Sequence, residues 1–148
     1  MAAKRIKDNK VEKITTIPVK ENKISFNFMY LTNKKDYNFD FFNLDKANKL
    51  KAYISLHDKM QQLSEITMQD CKARGKISGS ENIKYNDFNE SFKSILKNIE
   101  IVSKDSSLFV IRFNQQNYRL ICKTGIIDND VLYVIGFDFN YSAYNHGS

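Results

Sequence analysis

Arg112, Arg119, Lys123, Asp138, Tyr141, Tyr144 and His146 all fall in the C-terminal quarter of the chain, and together they are the residue types that handling a phosphodiester without a metal requires. Breaking such a bond through a ribose 2′-hydroxyl needs a base to take the proton, cations to hold the phosphate oxygens, and an acid for the leaving oxygen. Arg112, Arg119 and Lys123 supply cations, and the guanidinium fork matches phosphate best. Asp138 or His146 can serve as base or acid, while Tyr141 or Tyr144 can stack a nucleobase or donate a proton. Each has a structural alternative. Asp138 can simply pair with Arg119, the two tyrosines can pack the tail onto a sheet, and His146 lies two residues from the end, where a mobile tail is expected.

Three apolar runs of strand length must position these groups: Leu108 to Phe113, Tyr118 to Lys123 and Val131 to Phe139. The connections Asn114-Gln-Gln-Asn117 and the Gly/Asp/Asn-containing stretch 124–130 mark an antiparallel meander. With Asn114 to Asn117 as the loop, Phe113 faces Tyr118 and Arg112 faces Arg119. Two like charges opposite each other destabilise a strand pair by up to roughly 1 kcal/mol, so the pairing calls for an acidic partner or a bound anion. Lys123, four residues beyond Arg119, shares its face. If Lys123 faces Leu132, then Arg119 faces Gly136, which leaves room above the guanidinium, and Asp138 joins the face near its open end. The opposite face collects Phe109, Ile111, Phe113, Tyr118, Leu120, Cys122, Val131, Tyr133, Ile135, Phe137 and Phe139 as a core.

Upstream, residues 1–13 are polar and lysine-rich, the composition of a disordered segment. Ile14 to Val19 suits an edge strand because Pro18 removes a ladder donor. Ile24, Phe26, Phe28 and Tyr30 alternate with polar residues and Met29, as a half-buried strand over 23–31 does. A loop with Tyr37, Phe39, Phe41 and Phe42 follows. Asp45 can cap a helix from Lys46 to about Glu65 with Leu50, Tyr53, Ile54, His57, Met60 and Leu63 near one face, and a packed role for His57 is favoured over a ligand role. A short helix over Thr67 to Arg74 should stop at Gly75. Lys76 to Lys84 reads as a polar loop, since Gly75 and Gly79 lack the Gly-Lys-Ser/Thr that a phosphate loop needs. Asp87-Phe-Asn-Glu90 has the logic of a capping box for a helix over 88–100.

The chain has 148 residues and 42 % hydrophobic content, enough for one domain with a real core and too little for two. The expected fold is α+β: an N-terminal strand and the C-terminal meander form an antiparallel sheet, with helices packed on one face. No apolar run approaches the roughly 20 residues of a membrane span, and the start lacks a signal-like stretch, so a cytoplasmic protein without membrane partners is expected. Cys71 and Cys122 are too few for a metal motif or a disulfide framework and read as reduced thiols in or near the core. No His/Asp/Glu cluster has ligand spacing, so neither metal nor cofactor is expected. The net charge of +6 favours an anionic partner. Lysine supplies most of it, but two of the four arginines, Arg112 and Arg119 against Arg5 and Arg74, fall on the one sheet face.

The order strand, helical pair, meander, with Leu-Phe-Val-Ile-Arg-Phe and Tyr-Arg-Leu-Ile on consecutive strands and a last strand Val-Leu-Tyr-Val-Ile-Gly leading into Ser-Ala-Tyr, resembles the RelE/ParE superfamily of bacterial toxin-antitoxin toxins. The resemblance covers residues 88–146 by sequence character and 24–85 by element order. It implies a RelE-like fold and a metal-independent endoribonuclease, an mRNA interferase acting on RNA or ribosome-bound mRNA and neutralised by a protein antitoxin. Carried over by position, Arg112 and Arg119 match basic residues of the strands and Tyr144 the tail tyrosine. With the residues read directly, Arg119, Asp138, Tyr144 and His146 form the candidate catalytic set, and Arg112, Lys123 and Tyr141 the RNA- and phosphate-binding set. A non-catalytic binder on the same fold, of gyrase-inhibitor or phage and mobile-element type, is the alternative, as is an unrelated α+β protein.

Overall fold

The computed structural model describes residues 22–75 and 79–145. The expected disordered segment 1–13, the edge strand at Ile14–Val19, residues 76–78 and His146 lie outside the described residues.

An open five-stranded sheet carries three helices. Its strands are β1 (Ser25–Asn27), β2 (Ser80–Lys84), β3 (Ser107–Phe113), β4 (Tyr118–Thr124) and β5 (Val131–Asp138), in the order β1-β5-β4-β3-β2. The helices are α1 (Lys46–Leu63), α2 (Met68–Arg74) and α3 (Glu90–Leu96). The meander forms as its alternation requires, with Phe113 opposite Tyr118 and Arg112 opposite Arg119.

The sheet is mixed rather than antiparallel, because β1 runs parallel to β5. No hairpin joins these two strands; the whole intervening chain with its helices makes the crossover, as parallel pairing requires. β1 is also shorter than the alternation over 23–31 suggested. The Asn27 side chain accepts from Met29 N, and Leu31 N donates to Phe28 O, so the chain turns where the pattern continues. The polar stretch before Tyr85 is in part a fifth strand: β2 pairs with β3 along an edge of the sheet, where tertiary pairing overrides a weak local signal.

Helical elements cover both faces, not one. On the first face α1, α2 and the 3₁₀ turn Phe39–Phe42 bury Phe109, Ile111, Phe113, Leu120, Cys122 and Phe137. On the second, α3 and the C-terminal tail bury Leu108, Val110, Ile121 and Ile135. The aromatic loop crosses from one side to the other. Phe39 stacks on Tyr53 of α1 with ring centres 3.9 Å apart, whereas Tyr37 meets Phe92 of α3 edge-on at 5.0 Å.

A bulge in β5 accounts for the parity of the last strand. Ile121 pairs with Gly136 but Cys122 with Val134, so Ile135 is the extra residue and turns to the α3 side. Leu132 and Val134 therefore enter the first core in place of the expected Val131 and Tyr133. Lys123 faces Tyr133 instead of Leu132, and Arg119 faces Asp138 instead of Gly136.

Asp45 caps α1 through Asn48 N, and Thr67 and Asp70 form a capping box for α2 before Gly75. The buried side of α1 is Ala52, Leu56 and Leu63, with Leu50, Tyr53, Ile54 and His57 outward. Small Ala52 lets the helix lie close to the sheet, whereas apolar residues on both sides left the choice of face open. α3 is shorter than 88–100 and its N-cap is Asn89, without a side-chain cap bond. Asp87 instead ends a 3₁₀ turn, and Asn89 is held from outside: its N–H donates to Ala143 O and its Nδ2 to Ser142 O, both at 2.8 Å.

Candidate functional site

The expected arginine pair sits on the α3 side of the sheet, at the end nearest the β3–β4 turn. Arg112 Nη2 donates to Glu81 Oε2 at 2.9 Å, across from the edge strand β2. Arg119 is 7 % exposed; its Nη1 donates to Gln116 O at 2.6 Å, and its guanidinium carbon stands 5.1 Å from the centre of the Tyr141 ring. Opposite Arg119 is Asp138, fully buried. Glu81 is thus an internal acidic partner for Arg112, and Asp138 stands opposite Arg119 in the strand register. Arg112 Nε and Arg119 Nε remain buried without an acceptor among the described residues.

Asp138 organises the tail. Its Oδ1 accepts from Asn140 N and Ser142 N at 3.3 and 3.0 Å, and its Oδ2 from Ala143 N at 3.0 Å. These bonds fold residues 139–144 back across the face, and Tyr141 takes φ +61° on the way, a left-handed conformation that costs a bulky residue roughly 1–2 kcal/mol. Tyr144 is buried, pairs with Phe88 in an isolated antiparallel bridge, and donates through its hydroxyl to Glu81 Oε2 at 3.5 Å. Burial, with the Glu81 charge adding to it, pushes the Tyr144 phenol up to about 12, against the opposing effect of an Arg119 hydrogen bond. Its proton is therefore held through the neutral range.

The residues singled out in the sequence divide into groups. Arg112, Arg119, Asp138, Tyr141 and Tyr144 come together. Lys123 shares their face but stands beyond Ile121, which α3 covers, and its Nζ donates to Thr124 O at 3.4 Å. Gly136 leaves no room: a Cβ there would meet Phe92 Cε1 at 3.1 Å and Tyr37 O at 3.2 Å, so α3 occupies the space expected above Arg119. Glu81 was missed because its segment read as a loop; the demand of two opposed arginines for a carboxylate was the signal that could have found it.

Beside this network the β3–β4 turn projects. Asn114, Gln115 and Gln116 take φ +52°, +55° and +73° in succession, closed by Asn117 N donating to Asn114 O. Gly79 supports it from the edge: at φ +90° its carbonyl accepts from Arg112 N at 2.6 Å, and a Cβ would press on Arg112 Cβ at 3.3 Å.

Cys71 and Cys122 are free and buried, and burial pushes both thiols up. Among the described residues no group of His, Cys, Asp and Glu is placed to hold a metal, and no helix is long and apolar enough to cross a membrane. No protein-family model matches the chain, and neither a curated protein nor a solved structure does.

Proposed function

We propose that the chain is a RelE/ParE-like protein that binds single-stranded RNA at the turn end of its sheet and does not cut it. Tyr141 carries the reading. The ring is 48 % exposed, is held in a left-handed backbone by the Asp138 bonds, and lies against the Arg119 guanidinium. An aromatic platform backed by a cation suits stacking of an unpaired base, which contributes about 1–3 kcal/mol per base. The net charge of +6 favours the phosphate backbone.

The absence of cutting rests on how Asp138 and Tyr144 are occupied. Asp138 already accepts three backbone amides in a dry site, and the Tyr144 phenol holds its proton. Binding to a labelled single-stranded oligoribonucleotide, followed by fluorescence anisotropy, should weaken by about 5- to 100-fold in Tyr141→Ala, matching the loss of one stacked base. An unchanged affinity would remove Tyr141 from the interface.

The interferase reading keeps one observation in its favour: Arg112, Arg119 and Tyr144 share one network, with the Tyr144 hydroxyl next to both Arg119 and Glu81. On that reading expression arrests growth, mapped transcripts show cleavage, Arg119→Ala abolishes it with the fold intact, and a protein antitoxin neutralises it. Binding alone predicts intact transcripts.

A further inference from the structure

Between α1 and the β3–β4 turn lies a cleft of about 360 Å³, outside the Arg119–Asp138–Tyr144 network. That volume falls in the range of small-ligand sites, roughly 300–1,000 Å³. One wall is α1, with Asp58, Lys59 and Gln62; the other is the end of β3 and the turn, with Asn114, Gln115 and Gln116. We infer that this cleft seats one unpaired RNA nucleotide, its phosphate held by Lys59 and its base edge by the carboxamides of Gln62 and the turn. The inference rests on the RNA-binding reading and gives it a second seat beside Tyr141.

Two features point to it. Lys59 is half-buried and makes no hydrogen bond or ion pair among the described residues; its burial, with Arg74 nearby, holds its ammonium below the usual lysine range. A desolvated cation without a counter-charge is costly, and an anion arriving in the cleft relieves it. The carboxamides supply paired donors and acceptors of the kind that read exposed base edges, as Asn and Gln do with adenine. Asp58, the one carboxylate in the lining, lies 3.6 Å from His57 Nδ1 on the outer surface of α1 and is largely exposed.

The phosphate and base roles separate experimentally. Titration of labelled A12 and U12 oligoribonucleotides at several salt concentrations would be run on the wild type, Lys59→Gln, Gln115→Ala and Lys97→Gln, the last altering an exposed lysine at the end of α3. Lys59→Gln should weaken both oligonucleotides about tenfold and lower the salt slope by about one, and Lys97→Gln should do neither. Gln115→Ala, at an exposed turn residue that leaves the core intact, should narrow the difference between A12 and U12 without changing the slope. Equal behaviour of Lys59→Gln and Lys97→Gln, or an unaltered A12/U12 ratio in Gln115→Ala, would overturn the cleft while leaving RNA binding in place. No binding of either oligonucleotide by the wild type would overturn both.

Discussion

The two faces of the sheet are both covered, and the covers treat charge differently. Under α1 and α2, a core from Ile24 to Phe139 is aliphatic and aromatic. Under α3, apolar packing around Phe92 gives way at the turn end to Arg119 and Asp138, the buried charged residues among those described. Cohesion on the first face is spread over many weak contacts, so one truncation leaves a cavity and its neighbours keep their other partners. Cohesion at the end of the second face is concentrated in a few directional bonds. Removing one group there strands several others.

Asp138→Ala should therefore be the most damaging change on the α3 side, about 3–5 kcal/mol in urea denaturation, since it leaves three amides without their acceptor and Arg119 without its facing carboxylate. Adding Arg119→Met to that variant should recover part of the loss, a coupling that Phe137→Ala on the other face should not show. Strict additivity would break the contrast between the faces.

Gly136→Ala sharpens it at the apolar part of the second face. The new methyl would press on the Phe92 ring and the Tyr37 carbonyl, and a melting experiment should show a loss of about 1–3 kcal/mol. A neutral result would mean that α3 sits less tightly than Asp138 holds the tail.

The smallest effect concerns pH. The Tyr144 phenol titrates near 12 when folded, against an ordinary value of 10.0, so the unfolded chain loses this proton first. Stability from this group is whole below pH 10 and falls as pH rises from about 10 to about 12. Tyr144→Phe should flatten that part of the stability curve relative to wild type, and a slope unchanged by the substitution would place the titration elsewhere.

Local patterns carried the elements that a few adjacent residues specify. Alternation gave β3, β4 and β5, Asp45 the start of α1, Gly75 the end of α2, and the four-residue turn the facing of Arg112 and Arg119. Relationships between distant segments were not legible. The parallel partner of β1, the pairing that makes Ser80–Lys84 a strand, and α3 lying on the arginine side all depend on contacts far apart in sequence. The β4–β5 register shows how narrow the margin was: a shift of one residue carried Leu132 and Val134 into the core, and the extra residue at Ile135 then set Asp138 opposite Arg119. At the site, residue identities were visible while their occupancy was not, because the Glu81 carboxylate reaches it from a distant strand and the Ser142 and Ala143 amides reach Asp138 only once the tail folds back.

The parallel seam between β1 and β5 also orders events during translation. Residues 25–27 leave the ribosome long before Val131–Tyr133, their ladder partners, have been made. The early helices must wait for a surface to rest on, so the nascent chain should expose Phe39, Leu56 and Leu63 until β3, β4 and β5 have been made. Such late closure favours slow, all-or-none assembly and leaves the growing polypeptide open to chaperones or to self-association until the last strand is in place.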